Sequence, residues 1–156
     1  MRPETGDELL DAILMAGHRV RTATDARLRS EGLSLARLQL LQLLEDGPLP
    51  MGQLSEARSV VPRSTTDLVD GLVGCGLVER RPHPTDRRVV LLALTDLGRG
   101  RLASGRRRAS EVTRQVTRGV PSDRRRELIE LLDSIGAPQP PGRPSRGARR
   151  ERIGRL

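Results

Sequence analysis

Pro62-Arg63-Ser64-Thr65-Thr66-Asp67-Leu68-Val69-Asp70-Gly71-Leu72-Val73-Gly74 is the stretch on which the fold turns. Pro62 suits a first helical position, where an N–H would find no partner in any case. Ser64-Thr65-Thr66-Asp67 offers a second start as a capping box. Leu68, Val69 and Leu72 then lie along one face, which predicts a helix over 62–74. Beyond it the period changes. Leu77-Val78-Glu79-Arg80 and Val89-Val90-Leu91-Leu92-Ala93-Leu94 are β-type runs. Between them lies Arg81-Pro82-His83-Pro84-Thr85-Asp86-Arg87-Arg88, a polar segment with two prolines, and two short strands around such a loop read as a β-hairpin.

Upstream, Leu9, Leu10, Ile13, Leu14, Gly17, Val20 and Leu28 recur at helical spacing, predicting an amphipathic helix over 7–29 that Gly32 closes. Ser34 is placed to cap a second helix, with Leu35, Leu38, Leu41 and Leu44 on one stripe as far as Glu45. Asp46-Gly47-Pro48 ends it, and a short third helix follows over about 51–58. Downstream, Thr95 is a good cap for a long basic helix reaching about Arg118, weakened at Gly98, Gly100 and Gly105 and stopped by Gly119. Ser122 is expected to cap a sixth helix with the stripe Leu128, Leu131, Leu132 and Ile135. Residues 136–156, with 6 Arg and 1 Glu among Pro, Gly and Ser, read as a disordered basic tail.

The 156 residues are 35% apolar and 31% charged, a polar balance for one globule. Phe, Tyr and Trp are absent, so aromatic stacking on bases, sugars or flavins is excluded. Lys and Asn are absent too, a pattern that a GC-rich genome explains. All 28 basic residues are therefore Arg. Residues 1–80 carry a net charge of −3 and residues 81–156 a net of +11. A basic half points to a polyanion, nucleic acid ahead of membrane. The lone Cys75 fits a reducing compartment, and His18 and His83, far apart in sequence, leave no metal cluster; no cofactor is expected. No run approaches the ~20 apolar residues of a membrane span, and Met1–Glu8 lacks an apolar signal core, so a cytoplasmic protein is expected.

Two helices, a turn, a further helix and an arginine-tipped hairpin follow the order of a winged helix-turn-helix. A helix fits the ~12 Å major groove, and a hairpin beside it delivers Arg to the minor groove. Leu54-Ser55-Glu56, Ser64-Thr65-Thr66, Leu68-Val69-Asp70, Gly76-Leu77-Val78-Glu79-Arg80, Asp86-Arg87-Arg88 and Leu94-Thr95-Asp96-Leu97-Gly98 resemble, in order and spacing, the MarR family of bacterial transcription regulators. The likeness is tight over about 33–102 and looser in the flanking helices. It implies a homodimer, usually a repressor, on a pseudo-palindromic operator and often released by a small ligand. It also implies a recognition helix at 62–74, with Arg63, Ser64, Thr65 and Thr66 in its first turn at bases and phosphates. Asp86-Arg87-Arg88 matches the family's wing, where Arg87 or Arg88 reaches the minor groove or phosphate and Asp86 orients an arginine. Asp67 and Gly71 depart from the pattern, since many relatives are basic there; Asp67 either accepts from a cytosine N4 or faces water. Arg58 departs as well, standing where an apolar residue is expected.

The fold class expected is therefore mainly α with a small β-hairpin: a winged helix-turn-helix over 33–95, a dimerisation helix over 1–32, linking and dimerisation helices over 96–135, and the tail. The terminal apolar stripes exceed what one such unit covers, which argues for a two-fold dimer. The alternative is a winged-helix module that docks another protein, with Asp67 and Gly71 as its support. An enzyme is disfavoured: no Ser–His–Asp or Cys–His arrangement and no phosphate-binding glycine loop is present. Arg99, Arg101, Arg106, Arg107 and Arg108 read as a solvated face rather than as phosphate contacts. A pocket without aromatic residues favours an acidic or aliphatic effector.

Overall fold

A computed structural model describes residues 6–58 and 62–135, the side chains of 55–64 lying outside what is described. The order is α1 (Gly6–Leu28), a 3-10 turn (Arg29–Glu31), α2 (Leu35–Leu43), β1 (Leu49–Pro50), α3 (Met51–Arg58), α4 (Pro62–Gly74), β2 (Val78–Pro82), β3 (Val90–Leu94), α5 (Asp96–Val116), a second 3-10 turn (Ser122–Arg124) and α6 (Arg125–Ser134). The expected tail at 136–156 lies outside the described residues. The chain divides into two units, Met1–Thr117 and Arg118–Leu156.

β2 and β3 form the expected hairpin, with Val78 opposite Leu94 and Pro82 opposite Val90. The sheet has a third strand that the sequence did not announce. β1 pairs antiparallel with β3, Leu49 opposite Leu92 and Pro50 opposite Leu91. Two residues carry no period, and Pro50 is tolerated because the strand lies at an edge.

Ser34 caps α2 as expected, its Oγ accepting from the Arg37 N–H at 3.3 Å. The first turn of α2 is tied to α1 as well, where Asp25 Oδ1 accepts from the Leu35 N–H at 2.6 Å. Thr95 caps α5: its Oγ1 accepts from the Gly98 N–H at 2.9 Å and donates to the Gly76 carbonyl at 2.7 Å. Ser122 does not cap α6. It opens the 3-10 turn behind Pro121, and α6 begins after Arg124 with no side-chain cap.

Leu38, Leu40, Leu41 and Leu44 meet Leu54, Val69, Leu72, Leu92, Leu94 and Leu102 in one buried cluster. Each such side chain contributes roughly 1.5–3 kcal/mol of burial. Gly98 and Gly105 are contact points of this core rather than weak places in α5. A Cβ at Gly98 would stand 2.0 Å from the Leu77 carbonyl oxygen, and one at Gly105 would stand 2.8 Å from Leu38 Cδ1. The missing side chains are what let α5 lie against the domain.

The first part of α1 has no such cover. Leu9, Leu10, Leu14, Met15 and Val20 are exposed, with Leu9 at 61%. Within the second unit, Ile129, Leu131, Leu132 and Ile135 of α6 are exposed too. Among the described residues, no helix is long and apolar enough to cross a membrane.

Candidate nucleic-acid interface

The 3.6-residue period of α4 sorts its residues into two faces. Thr65, Val69 and Leu72 are fully buried, and Thr66, Asp67, Asp70 and Gly74 are exposed. Thr65 is thus turned away from the face that was expected to carry it. Its spacing of four and seven from Val69 and Leu72 puts it on the core side. Among the described residues its Oγ1 has no hydrogen-bond partner there. Thr65 accordingly leaves the set of DNA-contacting candidates. Thr66 and Asp67 remain on the open face, and the side chains of Arg63 and Ser64 lie outside the described residues.

The acidic pair on α4 is handled unequally. Asp70 Oδ1 accepts from Arg80 Nη2 at 2.5 Å, which offsets one carboxylate and ties α4 to β2. Asp67 has no ion-pair partner among the described residues. At Gly71 the structure brings in a residue that sequence reasoning missed. Arg37 of α2 donates from Nη1 to the Gly32 carbonyl at 3.1 Å, and its Nη2 would lie 2.9 Å from a Cβ at Gly71. The gap in the side-chain row of α4 is therefore the place where Arg37 lies. Nothing in the local pattern around 37 signals this.

Residues 83–89 form the hairpin tip. Arg87 and Arg88 are both exposed, and neither has an ion-pair partner among the described residues. Asp86 acts differently from the expectation: its Oδ1 accepts from the backbone N–H of Arg88 at 2.9 Å, so it shapes the turn instead of gripping a guanidinium. Aspartate accepting from its own backbone two residues on is a common turn device. His83 also belongs to this construction. Its Nδ1 accepts from the N–H of Thr85 at 3.3 Å and of Asp86 at 3.2 Å.

The α5 arginines contrast with those of the tip. Arg101 donates to Glu31 at 2.9 Å, Arg106 holds Glu45 in a two-pronged pair, and Arg108 lies 3.5 Å from Glu31. From α1, Arg27 holds Glu111 at 2.8 Å. These are braces between α5 and the preceding helices, not the solvated face expected for 101, 106 and 108. The carboxyls respond: Ser104 and then Arg101 hold Glu31 below the ordinary carboxylate range, Arg106 does so for Glu45, and Arg27 for Glu111. Beside this network a cavity of about 190 Å³ is lined by Glu45, Leu94, Arg99, Leu102, Ala103 and Arg106. His18 and Cys75 are exposed.

The geometry is that of a polar helix face beside a hairpin whose tip offers two cations unpaired among the described residues. Comparison with known proteins finds relatives in sequence and in fold. The sequence model of the MarR family matches residues 31–89. An uncharacterized HTH-type transcriptional regulator of Mycobacterium leprae (strain TN) is 31% identical over 119 residues, covering 74% of this chain and 83% of the relative. One of Bacillus subtilis (strain 168) is 31% identical over 102 residues, covering 65% of this chain and 62% of the relative, so the chain spans less than two thirds of that protein. Among solved structures, a mutant MarR from E. coli complexed with operator DNA superposes with a TM-score of 0.75 at 24% identity, covering 81% of this chain and 92% of that one.

Proposed function

The chain belongs to the MarR family of transcription regulators, and from that premise we propose that it is a dimeric repressor that reads a pseudo-palindromic operator in the cytoplasm. The recognition helix is α4, entering the major groove with Arg63, Ser64, Thr66 and Asp67. Arg87 and Arg88 enter the adjacent minor groove or bind its phosphates. One observation carries the reading: most α5 arginines are matched to acids, while the two at the hairpin tip are exposed and unpaired among the described residues. Free guanidinium groups at the end of a projecting loop suit the negative potential concentrated in a narrow minor groove.

The same reading places a second copy of the chain over the exposed apolar residues of α1 and over those of α6, and a two-fold pair sets two recognition helices about one DNA turn, ~34 Å, apart. A small effector would release the operator. The cavity beside Glu45 and Arg106, at about 190 Å³, is below the ~300–1,000 Å³ of sites for larger ligands, which favours a small acid.

Titration of duplex DNA against salt tests the proposal. Log affinity should fall with log salt by ~0.9 per phosphate contact. Arg87→Ala/Arg88→Ala should reduce that slope and cost at least ~1–3 kcal/mol in operator binding. An unchanged slope and affinity in the double variant would remove the wing from the interface.

A further inference from the structure

Between the half-buried His83 and Val89, the tip of the hairpin has no buried side chain holding it in place. Pro84, Thr85, Asp86, Arg87 and Arg88 are all exposed, and His83 at their start is half-buried. Its shape therefore depends on how its backbone N–H groups are satisfied. His83 N–H donates to the Val89 carbonyl at 3.1 Å and Val89 N–H to the Asp86 carbonyl at 3.1 Å, which closes the loop. Inside it, Arg88 N–H donates to Asp86 Oδ1 at 2.9 Å, while Thr85 N–H and Asp86 N–H both point at His83 Nδ1, at 3.3 and 3.2 Å. The Thr85 hydroxyl lies 3.3 Å from the same nitrogen.

We infer that His83 is a positioning residue for the wing arginines: its Nδ1 is the acceptor around which the tip folds. For Nδ1 to accept from these N–H groups, the ring hydrogen must sit on Nε2. The chain of consequence is short. The imidazole fixes the N–H of Asp86, the Asp86 carboxylate fixes the N–H of Arg88, and the two guanidinium groups leave from the turn so made. His83 need not touch DNA to govern binding. The inference rests on the wing reading above, and it adds an atom that neither the sequence pattern nor the family likeness singles out.

The test uses the full-length protein and a duplex that the wild type selects from a random pool. Asn places its Oδ1 where histidine has Nδ1, whereas Gln carries its amide one bond further out. His83→Ala and His83→Gln should each weaken binding about five- to tenfold, the scale of losing one or two hydrogen bonds. His83→Asn should bind within about twofold of wild type. In the Arg87→Ala/Arg88→Ala background, His83→Ala should cost nothing further, because a positioning residue has nothing left to position. Thermal midpoints of the variants should match that of the wild type.

Asn as weak as Ala would overturn the role of Nδ1. A full loss from His83→Ala in the arginine-free background would overturn action through the arginines. If Arg87→Ala/Arg88→Ala itself binds like wild type, the wing reading falls and this inference with it. If that variant weakens but His83→Ala does not, this inference alone falls.

Discussion

Replacing Thr65 by valine separates a core residue from a base-contacting one. Thr65 is 0% exposed on the inner face of α4, and its Oγ1 has no hydrogen-bond partner among the described residues. A buried hydroxyl without a partner costs roughly 1–3 kcal/mol. Valine keeps the branched shape, removes that cost and places a methyl among Val69, Leu72 and their neighbours. Thr65→Val should therefore stabilise the fold by about 1–2 kcal/mol, a rise of about 3–6 °C in midpoint. Circular dichroism at the helix band is the suitable probe, since the chain has no Trp, Tyr or Phe. Duplex binding measured alongside should stay within about twofold of wild type. A lowered midpoint would mean that the hydroxyl has a partner. A loss of affinity beyond about tenfold, with the midpoint unchanged or raised, would mean that Thr65 reaches DNA and that the inward face of α4 is misassigned.

Gly98→Ala should destabilise the protein by at least about 2 kcal/mol, because its Cβ would meet the Leu77 carbonyl oxygen at 2.0 Å. Gly100→Ala, with nothing within 4 Å, should instead gain about 0.5–1 kcal/mol of helix propensity; denaturant midpoints moving in the same direction would refute the close approach. Glu31, Glu45 and Glu111 are held below the ordinary value of 4.5, so their contribution is present above 4.5 and lost as pH falls through the folded values. Thermal midpoints should drop below pH 4.5, and Glu31→Gln/Glu45→Gln/Glu111→Gln should flatten that drop; equal slopes would contradict the bracing role. Light scattering at micromolar concentration should give the mass of a dimer, and a monomer would leave the stripes of α1 and α6 unexplained.

Local signals made the helices and the hairpin legible. Pro62 and Gly74 bound α4 where they were expected to, and Ser34 and Thr95 cap as their positions imply. The inward turn of Thr65 is legible too, through its spacing of four and seven from Val69 and Leu72, although its place in the family's motif points outward. Asp86 bonding to Arg88 N–H follows the ordinary habit of aspartate in turns. What could not be read was non-local. Glu31 meets Arg101 across 70 residues and Glu45 meets Arg106 across 61, and no pairing rule spans such gaps in one sequence. The same holds for the closeness of Gly98 to Leu77 and of Arg37 to Gly71. A glycine that weakens an isolated helix becomes the point of closest packing once the fold has brought a backbone beside it.

Selection of bound duplexes from a random DNA pool, run in parallel for the wild type and Arg87→Ala/Arg88→Ala, tests the central claim most directly. The account predicts an inverted repeat with half-sites about one helical turn apart, recovered by the wild type and lost or degraded in the double variant. Recovery of no motif, with only salt-sensitive general binding in both proteins, would contradict it.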